Sequence, residues 1–134
     1  MKNPSKERNR DYKKAKSYYL KIGNIFCPAL NDDITFNSVG FRHLLRKQGK
    51  RRLKNEQQRR FSLLPYAECM LTDPKAIFIS TNKTIIQQIT WHGRKIKTVS
   101  SAQFWNTKTT RDGHTVTILV RQINNGKKHF FSIY

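Results

Sequence analysis

A chain of 134 residues with 27 Lys and Arg against 8 Asp and Glu carries a formal net charge of +19, yet 37% of its side chains are hydrophobic and 11% aromatic. Those figures describe one domain with large side chains enough for a core, which excludes wholesale disorder, and no apolar run approaches the roughly 20 residues of a bilayer-spanning helix, so an integral membrane protein is excluded too. The two cysteines, Cys27 and Cys69, allow at most one disulfide and match no metal-ligand spacing.

In chain order, residues 1–33 read as a basic helical segment ahead of an α+β unit over 34–134. Tyr12, Ala15 and Tyr19 recur at helical spacing, which predicts a helix from about Lys6 to Lys21 with a frayed extreme end. Gly23 and Pro28 break it, Ile34-Thr35-Phe36 is extended, and Asn37 or Ser38 can cap a helix expected from Val39 to about Gly49. Lys50–Arg60 is either a solvated helical extension or a mobile basic loop. Pro65 fits the first turn of a further helix ending near Leu71, which Asp73-Pro74 stops.

After Pro74 the apolar period changes to two. Strands are expected at Ala76–Ser80, Ile85–Trp91, Arg94–Ser100, Ala102–Thr109, Thr115–Ile123 and Lys128–Tyr134, with His92-Gly93, Asp112-Gly113 and Asn125-Gly126 at hairpin turns. Helices first and strands afterwards predict an α+β fold in which N-terminal helices pack on one face of a twisted antiparallel sheet.

The charge points to a polyanionic partner, and because the cations run through helical and strand-like regions alike, nucleic acid fits better than a membrane surface. In the helix beginning at Val39, one side carries Phe41, Leu44 and Leu45, while His43, Arg46, Lys47 and Lys50 repeat at i, i+3, i+4 and i+7 on the other. A proton acceptor beside fixed positive charge is what phosphodiester cleavage without a metal requires, and neighbouring cations should lower the pKa of His43. A solvated basic face with an incidental histidine has the same spacing. In the penultimate strand, Thr117 and Arg121 point opposite to Val116, Ile118 and Val120. If Phe131 and Ile133 join the apolar set, Ser132 and Tyr134 join Thr117 and Arg121 in a polar face able to donate to phosphate oxygens. The eight carboxylates are scattered, with only Asp32-Asp33 adjacent, which is poor material for a magnesium cluster. No cofactor is expected.

The segments ITFNSVGFRHLLRK, LTDPKAIF and VTILVRQINNGKKHFFSIY, with hairpins between the last two, resemble the barnase-EndoU-colicin-RelE superfamily of metal-independent ribonucleases, in particular its phage-encoded and contact-dependent toxin branches, over about residues 34–134. The resemblance rests on Arg42-His43, Asp73-Pro74, Arg121 and Ser132, and it departs at Leu45, where relatives can carry a second basic residue or His. It implies an endoribonuclease acting on tRNA or other cellular RNA and leaving 2′,3′-cyclic phosphate ends. His43 would act as general base or acid, Arg46, Lys47 and Arg121 would bear on phosphate charge, and Ser132 and Thr117 on non-bridging oxygens. Arg42 is the alternative to Arg46, Lys50 adds to substrate binding, and His129 or Tyr134 could complete the proton transfer. It further implies a monomer acting in a bacterial cytoplasm, with an acidic immunity or antitoxin protein as partner. The charged first dozen residues form no secretory signal, which a module cut from a larger exported protein would share. The competing reading is a non-catalytic basic RNA-binding module, in which the same cations only track phosphates.

Overall fold

The computed structural model describes the backbone of residues 4–134 and side chains from Asp11 onward; the fraying expected of the extreme N-terminus lies outside the described residues. The fold is α+β. Three helices, α1 (Pro4–Ile22), α2 (Ser38–Leu45) and α3 (Lys54–Thr72), accompany eight strands: β1 (Asn24–Cys27), β2 (Asp32–Thr35), β3 (Arg46–Lys47), β4 (Lys50–Arg51), β5 (Ile79–Trp91), β6 (Arg94–Arg111), β7 (His114–Ile123) and β8 (His129–Ile133). Six strands form one sheet in the order β1-β2-β8-β7-β6-β5, antiparallel throughout except where Thr35 of β2 meets His129 of β8. The β1–β2 hairpin is therefore an edge of the same sheet as the C-terminal strands, and Tyr19 of α1 is buried in the common core.

The core lies between the helices and the side of β7 that carries Val116, Ile118 and Val120, all buried as the alternation predicts. Aromatic rings bind the layers together: Phe36 stacks on Phe130 at 4.8 Å, and Tyr19 lies 5.3 Å from Phe41 and 5.9 Å from Phe130. The Tyr19 hydroxyl donates to the Asn37 carbonyl at 2.6 Å, fixing α1 to the start of α2. Asn37 is the N-cap: its Oδ1 accepts from the backbone N–H groups of Val39 and Gly40.

Several expectations need correction. The helix at Val39 ends at Leu45 rather than near Gly49, because Arg46 turns extended and Gln48 and Gly49 both adopt positive φ, closing the β3–β4 ribbon. The third helix starts at Lys54, so Pro65 lies not in its first turn but inside it, on the exposed side, where water can reach the carbonyl that the proline leaves without a donor. Its early turns are anchored by Gln57, whose Nε2 donates to the carbonyls of Leu45 and Arg52. The expected breaks at residues 81–84 and 101 do not occur, since β5 and β6 pair without interruption from Ile79↔Asn106 to Trp91↔Arg94. Between Leu119 and Val120 the β7–β8 register shifts, and this bulge sends Phe130 rather than Phe131 into the core alongside Ile133. Cys27 and Cys69 are both free, one buried and one exposed. Among the described residues, no helix is long and apolar enough to cross a membrane.

Candidate active site

The short α2 carries His43 to β8, where its ring lies 4.4 Å from the ring of Phe131, the residue that the bulge turns out of the core. The Arg121 guanidinium of β7 stands 4.3 Å from the centroid of the same ring, and Phe104 of β6 meets its edge at 5.6 Å. Phe131 is thus a shared floor for an imidazole and a guanidinium that are far apart in sequence.

Four cations bear on His43: Arg52, Arg60, Arg121 and Lys47. Burial first, and these charges after it, hold the imidazole down to about 4, so the ring is neutral at pH 7. Its Nδ1 is buried with no hydrogen-bond partner among the described residues. Left unpaired, such an atom costs about 1–3 kcal/mol.

The cations are themselves placed by hydrogen bonds. Arg52 Nε donates to the His43 carbonyl at 3.0 Å and its backbone N–H to the Leu45 carbonyl at 2.7 Å, so the β4 end satisfies carbonyls that the last turn of α2 leaves open. Arg60, only 8% exposed, donates through Nη1 to Ser132 Oγ at 2.9 Å and to the Ile133 carbonyl at 3.2 Å, and its Nε pairs with Glu56 at 3.0 Å. Arg121 Nε donates to His129 Nε2 at 3.0 Å. That nitrogen therefore holds a lone pair, and His129, buried beneath a cation, is also held to about 4, a backbone hydrogen bond to Lys127 pulling weakly the other way. Among the described residues, the two Nη groups of Arg121 bond nothing within the chain.

The structure brings together His43, Lys47, Arg121, His129 and, through Arg60, Ser132. Ser132 faces the α3 guanidinium, not Arg121 as expected, because the bulge resets the alternation before it. Tyr134 is half-exposed, with its ring 5.8 Å from the Arg60 guanidinium. The i, i+3, i+4, i+7 face does not form: Arg46, Lys47 and Lys50 leave the helix for the β3–β4 ribbon, and Arg46 Nη1 donates to Gly49 of its own turn. Arg42 is solvent-exposed on α2. Thr117 is 4% exposed, with its backbone paired to Tyr134. Arg52, Arg60 and Phe131 are the residues that sequence reasoning missed. A signal did exist for Arg60, since Gln57, Arg60, Leu64, Ala67 and Leu71 lie at helical spacing and place a guanidinium in an otherwise buried stripe. Among the described residues, no group of three His, Cys, Asp or Glu side chains could hold a metal ion.

The two depressed imidazoles make an acid-stability prediction. An unfolded chain takes up these protons near pH 6.5, while the folded one resists until about pH 4, so the contribution is present above pH 6.5 and is lost as pH falls towards 4. Urea unfolding followed from pH 7.5 to 4.5 should lose on the order of 2–4 kcal/mol, discounted for the partial exposure of His43. A His43→Gln/His129→Gln double variant should flatten that slope, and a wild-type curve as flat as the variant's would mean that the rings titrate normally.

Comparisons of the chain with protein-family models, with curated proteins and with solved structures return no match.

Proposed function

We propose that the protein is an endoribonuclease that cleaves RNA without a metal, by attack of a ribose 2′-hydroxyl on the adjacent phosphorus to give a 2′,3′-cyclic phosphate and a 5′-hydroxyl end. The observation that carries this reading is a neutral, half-buried imidazole, His43, surrounded by four cations on the Phe131 floor. A neutral imidazole is the form that accepts the 2′-hydroxyl proton. Burial is the larger cause of the low basicity and persists, but as phosphate charge enters, the part of the depression that the cations cause is offset and the ring becomes a stronger base than in the free protein. Arg121, oriented through its Nε by His129, offers its two Nη groups to a pair of phosphoryl oxygens, and the charge that develops on them is opposed by Arg52, Arg60 and Lys47. Ser132 acts through Arg60, which it helps to orient, so its role is positioning. The departing 5′-oxygen takes its proton from water or from His43 once that ring is protonated.

The second reading, a basic module that binds RNA without cutting it, is favoured by one observation: both imidazoles are neutral at pH 7, which leaves no imidazolium as a ready acid. Turnover separates the two. Purified protein incubated with a stem–loop RNA in excess EDTA should release fragments whose 3′ ends are cyclic phosphates. Saturating binding with intact RNA, or cutting that EDTA abolishes, would sink the proposal. Under the toxin reading an acidic protein would cover the same cationic face, with fast, salt-sensitive association.

A further inference from the structure

Beyond Ser101 the β5–β6 hairpin leaves the sheet. β7 pairs with β6 only from Ala102 onward and Asn124 bonds the Ser101 backbone at the root, so Ile85–Trp91 and Arg94–Ser100 pair with each other alone. An isolated two-stranded ribbon is marginal in water, and this one contributes nothing to the described core. It ends in a two-residue turn at His92-Gly93, both at positive φ, which sets Trp91 directly opposite Arg94 at the tip.

The register assigns the sides. Phe104 pairs with Arg121 and with Thr81, and from there the same side of the ribbon runs outward through Lys83, Gln87, Thr98, Ile89 and Ile96 to Trp91 and Arg94. The arm thus prolongs the surface on which Phe104 meets Phe131, its tip about 33 Å away at ten strand residues. Trp91 is 59% exposed, its indole 4.8 Å from the His92 ring and free of any core contact. Arg94, Lys95 and Lys97 are the arm's charges, with Lys83 at its root, and no carboxylate occurs between Ile79 and Arg111.

We propose that this arm is an RNA-contact element in which Trp91 stacks on an unpaired base while Arg94 on the same side, and Lys95 and Lys97 on the opposite side of the two-stranded ribbon, hold the phosphates of a strand that passes round its tip. The preferred substrate is then RNA with a single-stranded loop or end about 33 Å from the cut. The scissile site rests on the ribonuclease reading above; binding by the arm does not. Charge selects the occupant. A second copy of the arm would bring the same cations edge to edge, whereas a phosphate backbone complements them. An exposed indole needs an unstacked base, and the deep, narrow major groove of an RNA duplex denies side chains access to stacked ones.

The probe is a stem–loop RNA carrying 2′-O-methyl groups throughout, which lacks the attacking hydroxyl, and its binding is read with a Trp105→Phe protein whose sole tryptophan is Trp91. Its emission should fall as the stem–loop binds, and much less with a fully paired duplex of equal length. Trp91→Ala should weaken stem–loop binding by about 5- to 100-fold. Arg94→Gln/Lys95→Gln/Lys97→Gln should reduce the slope of log K against log salt by about two. Saturated binding with unchanged Trp91 emission overturns the proposal, as does undiminished affinity in Trp91→Ala. Self-association abolished by Val99→Lys with RNA binding untouched overturns it in favour of a second copy. With unmodified RNA, cutting by a protein whose Trp91 is unquenched rejects the arm alone, and quenching without cutting rejects the ribonuclease and keeps the arm.

Discussion

Gly40→Ala is expected to destabilise the protein by at least about 3 kcal/mol, a large share of the roughly 5–15 kcal/mol that a domain of this size has. A Cβ at position 40 would collide with the Phe130 carbonyl oxygen and would stand 2.6 Å from the Tyr19 hydroxyl and 2.7 Å from Phe130 Cδ1. The carbonyl belongs to a strand of the sheet, the tyrosine is bonded to Asn37, and the ring is fully buried, so none of the three can give way cheaply. Gly23→Ala supplies the comparison: no atom lies within 4 Å, but φ is +61°, so its cost is the backbone penalty of about 1–2 kcal/mol. Urea midpoints of the two variants measure the difference. Equal losses would mean that α2 does not press on β8 as described, and the placement of His43 would lose its support.

His43→Ala should lower single-turnover cleavage by about 10²- to 10⁴-fold, the usual contribution of a positioned general base, while RNA affinity stays within a few-fold because the surrounding cations remain. Stability should hardly fall. The substitution removes contact with Phe131 but also removes a buried nitrogen without a partner among the described residues, and the two effects oppose each other. Large loss of rate with unchanged affinity and fold is the signature of a chemical role. Cleavage within threefold of wild type would take His43 out of the reaction.

The parts of this architecture legible in the sequence are those fixed by neighbours along the chain. His92-Gly93 and Asp112-Gly113 turn where expected because positive φ at two adjacent residues is a local property, and Val116, Ile118 and Val120 face the core because strand alternation is local too. His43 stood out because Phe41, Leu44 and Leu45 fill the opposite face of a helix that does form. What stayed hidden was tertiary. The helical repeat carrying Arg46, Lys47 and Lys50 was an extrapolation past Leu45, where Arg52 captures the last carbonyls and the chain turns back. Phe131 could not be assigned to its side by a strict period of two, since the bulge violates that period. The burial of Arg60 depends on Ser132 and Ile133, more than seventy residues away. The β1–β2 hairpin was obscured because Gly23 and Pro28 read as interruptions of a helix rather than as the limits of a four-residue strand.

One consequence follows from the position of β8 in the sheet. It is the strand that joins β2 to β7, yet it comes after both in the chain, and the Lys128–Asp32 ion pair across this junction closes a separation of 96 residues. Closing so long a loop is slow compared with forming hairpins, so the meander and the N-terminal wing must wait for each other. Until β8 emerged from a ribosome, β2 and β7 would lack the strand that joins them in the sheet. Only then could Phe131 bring His43 and Arg121 together, so under the proposed ribonuclease reading the nascent chain would stay harmless to the RNA of the machine synthesising it.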